Sequence, residues 1–357
     1  MEDTEQEPII EDNLEDDEDI IPFKYSIAVS RIDFPVDGIV KRLKDEDIYI
    51  PKFQRAYVWK PKQASRFVES LLLGLPVPGV FMARERETNK LLVIDGQQRL
   101  CSLLYFYDGK FPNGRRPFSF KGVQPQYEGA TITSLPKEAR RQLDNSVLYA
   151  TIVEQNATAD DDSSVYHIFE RLNTGGTLLK AQEIRACIYH GELNDLLHEL
   201  KNNEYWRVIF GTADKNMRDQ ELILRFLALY FNCDNYKIPL KEFINNYMGQ
   251  NRHCNLQSED QISKAFEDTI EVVYKALGNK AFKPKKALNA TVFDAVMVGI
   301  SRRLEKGAIQ NLESLKQRYH NLLSDENFLT VPGQSTSDEK NVRQRLTLAT
   351  EAFADLE

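Results

Sequence analysis

The chain is 357 residues long, 42% hydrophobic and 28% charged, with a formal net charge of −8. This length supports two domains, each with its own core. No apolar run approaches the ~20 residues of a membrane span, and no basic-then-apolar leader opens the chain, so neither a membrane protein nor a secreted one is expected.

The charge is concentrated at one end. Eleven acidic and no basic residues fall within the first nineteen, which leaves 46 basic against 43 acidic residues for the remainder. Residues 1–22 are therefore expected to be a solvated, disordered acidic tail ahead of a slightly basic body. A competing reading has the tail screen a basic groove from non-specific polyanions. Residues 25–29 read as a first strand, 36–43 as a short helix, and Ile48-Tyr49-Ile50 as a second extended piece. Residues 51–59 (PKFQRAYVW) mix aromatic rings with Lys52, Gln54 and Arg55 and show no period. That is the make-up of a binding loop, with faces to stack on and donors for an anion. It is equally that of a loop anchored by buried Phe53 and Trp59. Pro61 opens a helix that Gly74 closes. A rigid Pro76-Val77-Pro78 link leads into a strand at 79–83.

The next stretch organises the rest. Leu91-Leu92-Val93-Ile94 is a continuous apolar run, which suits a strand buried on both faces. It ends at Asp95-Gly96, and a helical pattern follows with Leu100, Leu103, Leu104 and Tyr107 on one face. A strand that enters a helix through a glycine leaves backbone N–H groups at the helix start, and these attract anions. Arg99, in the first turn, adds a fork for phosphate or carboxylate. The plainer alternative makes Asp95 an N-cap and Arg99 a surface ion-pair partner.

Residues 109–145 thin into turns, and 147–153 read as a strand. Val165, Ile168, Phe169 and Leu172 form a helical stripe. Asn173-Thr174-Gly175-Gly176 makes a turn before a helix at 178–190. Beyond Gly191 strand signals vanish and helical stripes recur near 193–200, 219–231, 262–277, 291–304, 309–323 and 337–356, so 191–357 is expected to be an all-α domain. Its basic cluster of Lys280, Lys283, Lys285 and Lys286, followed by Arg302, Arg303 and Lys306, suits phosphate contacts, and solvated lysines are the common alternative. The four cysteines form no Cys-x-x-Cys pair, which argues for a reducing, cytoplasmic setting and against structural zinc.

Four of these pieces, PKFQRAYVW, ESLLLGLPVP, IDGQQRL and FERLNTGGTLLKAQE, occur in an order and spacing that resembles the GmrSD-type N-terminal domain family. The resemblance covers the domain expected at 23–190. It implies an α+β fold of the ParB/sulfiredoxin-like kind, in which the Asp-Gly-Gln-Gln-Arg turn binds nucleotide phosphates and supports nucleoside-triphosphate hydrolysis. It further implies a role in restriction of modified phage DNA. Many relatives carry a C-terminal His-Asn-His nuclease domain. Here only His320-Asn321 stands near the end, so DNA cleavage is expected to come from a partner nuclease subunit if it occurs.

On this resemblance, Arg99, Arg55 and the amides of Gly96 to Gln98 would neutralise phosphate charge. Asp95 would position a Mg²⁺ ion or the attacking water, and Gln97 or Gln98 would orient that water. Gln54 and Asn173 would complete the nucleotide site, and Lys283, Lys285, Lys286, Arg302 and Arg303 would contact DNA. Three readings stay open: a nucleotide-hydrolysing restriction component, a nucleotide-gated DNA-binding switch without turnover, and a scaffold for a partner nuclease. The base, the DNA modification and any oligomeric state are left open with them.

Overall fold

The computed structural model describes residues 10–11, 27–50, 57–85, 88–112, 116–155, 163–172, 179–329 and 338–357. The chain divides into two compact units. One is Lys24–Leu178, and the other combines Met1–Phe23 with Leu179–Glu357. In chain order the described elements begin with a short strand β1 (Ile10–Glu11). The sequence predicts a solvated segment there, and two residues of it pair with backbone instead.

The Lys24–Leu178 unit holds β2 (Ile27–Pro35), α1 (Val36–Lys44), β3 (Ile48–Tyr49), α2 (Pro61–Leu72), β4 (Val80–Arg84), β5 (Leu91–Asp95), α3 (Gln97–Tyr107), α4 (Lys137–Asn145), β6 (Val147–Gln155) and α5 (Ser163–Leu172). It is an α+β unit built on a mixed five-stranded sheet in the order β2-β6-β4-β5-β3. β2 pairs antiparallel with β6 along its full length, from Ile27 opposite Gln155 to Pro35 opposite Val147. It is longer than the strand expected at 25–29, because Ile32 and Phe34 continue the alternation that puts every second residue on one face.

Helices α1, α2 and α3 supply the larger core. Val36, Ile39, Val40 and Leu43 of α1, with Phe67, Val68 and Leu71 of α2, meet Leu100, Leu103 and Phe106 of α3 over Met82, Val93, Ala150 and Ile152 of the sheet. β5 has all four residues Leu91 to Ile94 buried, as an apolar strand with both faces covered requires. α4 was not expected among the turns of 109–145. It is strongly charged and buries only Ala139 and Leu143, one helical turn apart.

The other unit continues with α6 (Ala181–Ile188), α7 (Glu192–Leu200), α8 (Glu204–Phe210), α9 (Arg218–Asn232), α10 (Leu240–Gln250), α11 (Glu259–Leu277), β7 (Leu288–Asn289), α12 (Ala290–Leu304), α13 (Leu312–Ser324), α14 (Glu326–Leu329) and α15 (Glu339–Phe353). Helix α12 is buried nearly all round, from Val292 to Ile300, and packs against α9, α11 and α15. A helix that is apolar on every face belongs at the centre of such a unit. Gly299 allows the close approach to α15, since a Cβ there would lie 2.8 Å from the Ala349 carbonyl oxygen. Buried Trp206 anchors α8 among Phe210, Phe266 and Phe293. β1 pairs in parallel with β7, Ile10 beside Leu288 and Glu11 beside Asn289. Among the described residues no helix is long and apolar enough to cross a membrane.

Candidate functional site

The turn from β5 into α3 is built on Gly96. Its φ of +102° is open to glycine and strained for other residues. A Cβ there would also fall 2.4 Å from a methyl group of Val80. Gly96, in the N-cap position, has no side chain to cap the helix, and the first turn of α3 carries no acidic residue. Its amides thus present partial positive charge without a carboxylate from their own turn to offset it. Asp95 is the last residue of β5 rather than the cap, which separates it from the role that the plainer reading assigned.

Asp95 instead accepts a hydrogen bond from Arg99, Nη2 to Oδ2 at 2.6 Å, within the first turn. The Arg99 side chain is 17% exposed and that of Asp95 51%. The Arg99 Nε is buried and has no hydrogen-bond partner. A guanidinium so placed has unsatisfied donor capacity at the start of a helix, where an anion gains from both.

Gln98 is committed elsewhere. Its Oε1 accepts from the backbone N–H of Val58 at 3.0 Å and of Trp59 at 3.2 Å. That fastens the end of the 51–59 loop onto α3. Two further contacts strengthen the attachment. The Tyr57 hydroxyl lies 2.8 Å from Ser102 Oγ, and Ser102 donates to the Gln98 carbonyl at 2.7 Å. Tyr57 stacks edge-on against Tyr105, and Trp59 does so against Phe67. Burial pushes the Tyr57 hydroxyl up to about 12 and the Cys101 thiol up to about 11, so both stay protonated near neutral pH. Sequence reasoning missed Tyr57 and Ser102. The spacing of Ser102 four residues after Gln98 was the available signal.

Gln97 sits in the same first turn, partly exposed. Gln54, Arg55 and Asn173, assigned to nucleotide binding from the sequence, lie outside the described residues, as does the Asn173–Gly176 turn. No three His, Cys, Asp or Glu side chains among the described residues group as metal ligands. Magnesium is typically held by one or two carboxylates plus substrate phosphates and water. A single half-exposed Asp95 beside an anion-attracting helix start fits that pattern.

The five cations assigned to DNA separate into two sets. Lys283 donates to the carbonyls of Ile209 and Asn279, and burial lowers its pKa. Arg302 reaches Thr350 Oγ1 and Cys233 Sγ, and Arg303 binds the carbonyls of Leu356 and Gly307. Lys285 and Lys286 are exposed. A cavity of about 440 Å³, lined by Ile32, Phe34, Arg42, Asp47, Arg84 and Lys90 among others, lies apart from the turn, and none of Asp95 to Arg99 lines it.

Comparison with known proteins adds what this geometry cannot supply. Residues 36–190 match the model of the GmrSD restriction endonuclease, N-terminal domain. This segment is a GmrSD-type N-terminal domain. The match places it among components of restriction, that is defence, systems. An uncharacterized protein of Methanocaldococcus jannaschii is 29% identical, over 29% of this chain and 23% of its own length. The chain therefore spans less than a quarter of that relative, whose name assigns it no activity. The GmrSD-type match includes the Gly96 turn, α3, Gln98 and Arg99, and it runs on through α6.

Proposed function

We propose that the GmrSD-type domain binds a nucleoside triphosphate at the Gly96 turn and hydrolyses it, as part of an antiphage restriction system acting with DNA. The observation that carries this reading is Arg99, largely buried with its Nε lacking a partner, in the first turn of a helix that has no acid of its own. The amides of Gly96 to Gln98 would take phosphate oxygens, and Arg99 would turn from Asp95 toward them. Asp95 would then be released to hold Mg²⁺, which when bound supplies charge neutralisation at the transferring phosphoryl group. Arg55, Gln54 and Asn173 belong to this proposal through the family resemblance, as do the ParB/sulfiredoxin-like fold, the cytoplasmic setting and a partner nuclease.

One observation favours a second reading, a nucleotide-gated switch without turnover. The Gln98 carboxamide oxygen is occupied by the Val58 and Trp59 amides, so Gln98 serves the loop, and water orientation would fall to Gln97.

Released phosphate from a panel of nucleoside triphosphates with magnesium separates the two readings. Affinity and turnover of two variants locate the site. Arg99→Ala removes a charge-assisted bond of about 1.5–3 kcal/mol, so affinity is expected to fall roughly tenfold to hundredfold. Asp95→Asn also frees Arg99, so binding of the bare nucleotide is expected to hold or improve while turnover is lost. If the pair were only a surface ion pair, neither variant would change binding or turnover, and that result would reject the site.

A further inference from the structure

The acidic segment and the strand it joins carry an inference that rests on the reading of the helical unit as a DNA-contacting surface. Residues 280–287 form a loop pinned at both ends. Ala281, Phe282, Ala287 and Leu288 are buried, and the Asn289 N–H donates to the Phe282 carbonyl at 2.9 Å. The Phe282 N–H donates to the Tyr319 hydroxyl at 3.1 Å. With Lys283 turned inward, Lys280, Lys285 and Lys286 are left exposed and without an ion pair among the described residues. A fixed loop thus presents three ammonium groups to solvent.

β1 is laid beside the foot of this loop. Ile10 and Glu11 pair with Leu288 and Asn289, and they belong to the stretch with eleven acidic residues and no basic one. Chain reach then limits the separations. A residue spans at most ~3.6 Å, so Glu7 lies within about 11 Å of Ile10, and Lys286 within about 7 Å of Leu288. Paired strands are ~4.8 Å apart. The backbone pairing alone therefore confines a dense run of carboxylates to the neighbourhood of the three lysines. Tethering raises its effective concentration there to the millimolar range. The anchor is short, two residues against the five or six of an ordinary strand, which suits an occupant that leaves.

We propose that the acidic segment, residues 2–19, is an intramolecular stand-in for the DNA backbone. It occupies the face formed by Lys280, Lys285 and Lys286, and duplex DNA must displace it to bind there. The charge pattern and the β1–β7 pairing are independent observations, and both select this occupant.

The test uses the full-length chain in three forms: wild type, an arm-neutral form with the eleven acids changed to their amides, and Lys285→Glu/Lys286→Glu. Fluorescence anisotropy with a labelled duplex is followed across a salt series, and melting temperatures check folding. The arm-neutral form is expected to bind at least about tenfold more tightly at low salt, with the gap closing as salt screens the arm. A labelled peptide of residues 2–19 should bind the arm-neutral chain and compete with DNA. The double charge reversal should lose both. Equal DNA affinity of wild type and arm-neutral chain, without peptide docking, overturns the inference and leaves the DNA-contact reading standing. Peptide docking without DNA binding by either form removes the DNA reading, and the proposed competition with it.

Discussion

Gln98 offers the sharpest test of how the site is assembled, because its role is defined by two bonds. Its Oε1 accepts from the N–H groups of Val58 and Trp59. Gln98→Ala deletes both, while Leu100, Leu103 and Phe106 still hold α3 in the core. Each net hydrogen bond is worth about 0.5–1.5 kcal/mol, so the loop end loses about 1–3 kcal/mol of local attachment. Val58 is 70% exposed, and water can replace its lost partner, which favours the lower half of that range. Local opening, and hence amide exchange at Val58 and Trp59, should accelerate roughly 5- to 150-fold. Global stability should change far less than the loop does. Hydrogen exchange read by NMR or mass spectrometry resolves the two amides from the α3 amides, which serve as an internal control. Unchanged exchange at Val58 and Trp59 in Gln98→Ala would refute the tether. If exchange accelerates and nucleotide affinity falls with it, the loop at 51–59 and the Gly96 turn act as one site.

Gly299→Ala places a Cβ 2.8 Å from the Ala349 carbonyl oxygen. It should destabilise the helical unit by about 1–3 kcal/mol in urea unfolding, and an unchanged midpoint would refute the close approach of α12 and α15. Asp219 is fully buried, and burial raises its carboxyl above the ordinary 3.8 against the opposing pull of Arg207 at 2.9 Å. The folded protein then keeps this proton to higher pH than the unfolded chain does. Its contribution to stability is therefore complete below about pH 3.8 and drains away as pH rises through the raised folded value. Asp219→Asn should flatten the stability profile across that window, and a profile parallel to wild type would contradict the assignment.

The parts of the fold that were legible in the sequence are those where one physical signal dominates. The run Leu91 to Ile94 could only be a strand covered on both sides, and Asp95-Gly96 could only turn it. The missed helices lack such a signal. α4 keeps two apolar contacts in a strongly charged segment. α8 is seven residues long and depends on Asn203, whose side chain accepts from Tyr205 and Trp206. α10 mixes Asn245, Asn246 and Gly249 into its stripe, residues whose propensity argues against a helix and which tertiary packing overrides. At the site, the residue types at Asp95, Gly96 and Arg99 were readable, and the use of Gln98 was not. Its partners lie about forty positions upstream, and a side chain that binds backbone leaves no pairing pattern in the sequence.

The basic cluster shows the same limit for charge. A sequence counts cations without saying which ones the fold consumes. Arg302 and Arg303 lie in the last turn of α12, where a cation is favoured by the helix dipole. Both are spent on the helical unit, Arg303 on the carbonyls of Leu356 and Gly307 and Arg302 on Thr350 and Cys233. Lys283 is spent on the carbonyls of Ile209 and Asn279. Removing these side chains would leave buried acceptors unpaired, so lost DNA binding in such variants would not distinguish contact from unfolding. Lys280, Lys285 and Lys286 have no comparable structural use. The electrostatic footprint expected from the fold is thus three lysines rather than the five cations picked from the sequence. Each phosphate neutralised on duplex DNA contributes ~0.9 to the slope of log affinity against log salt, so an arm-neutral chain should give about −2.7 rather than about −4.5. A measured slope near the larger figure would mean that Arg302, Arg303 and Lys283 leave their carbonyls when DNA binds, and the helical unit would then have to rearrange to do so.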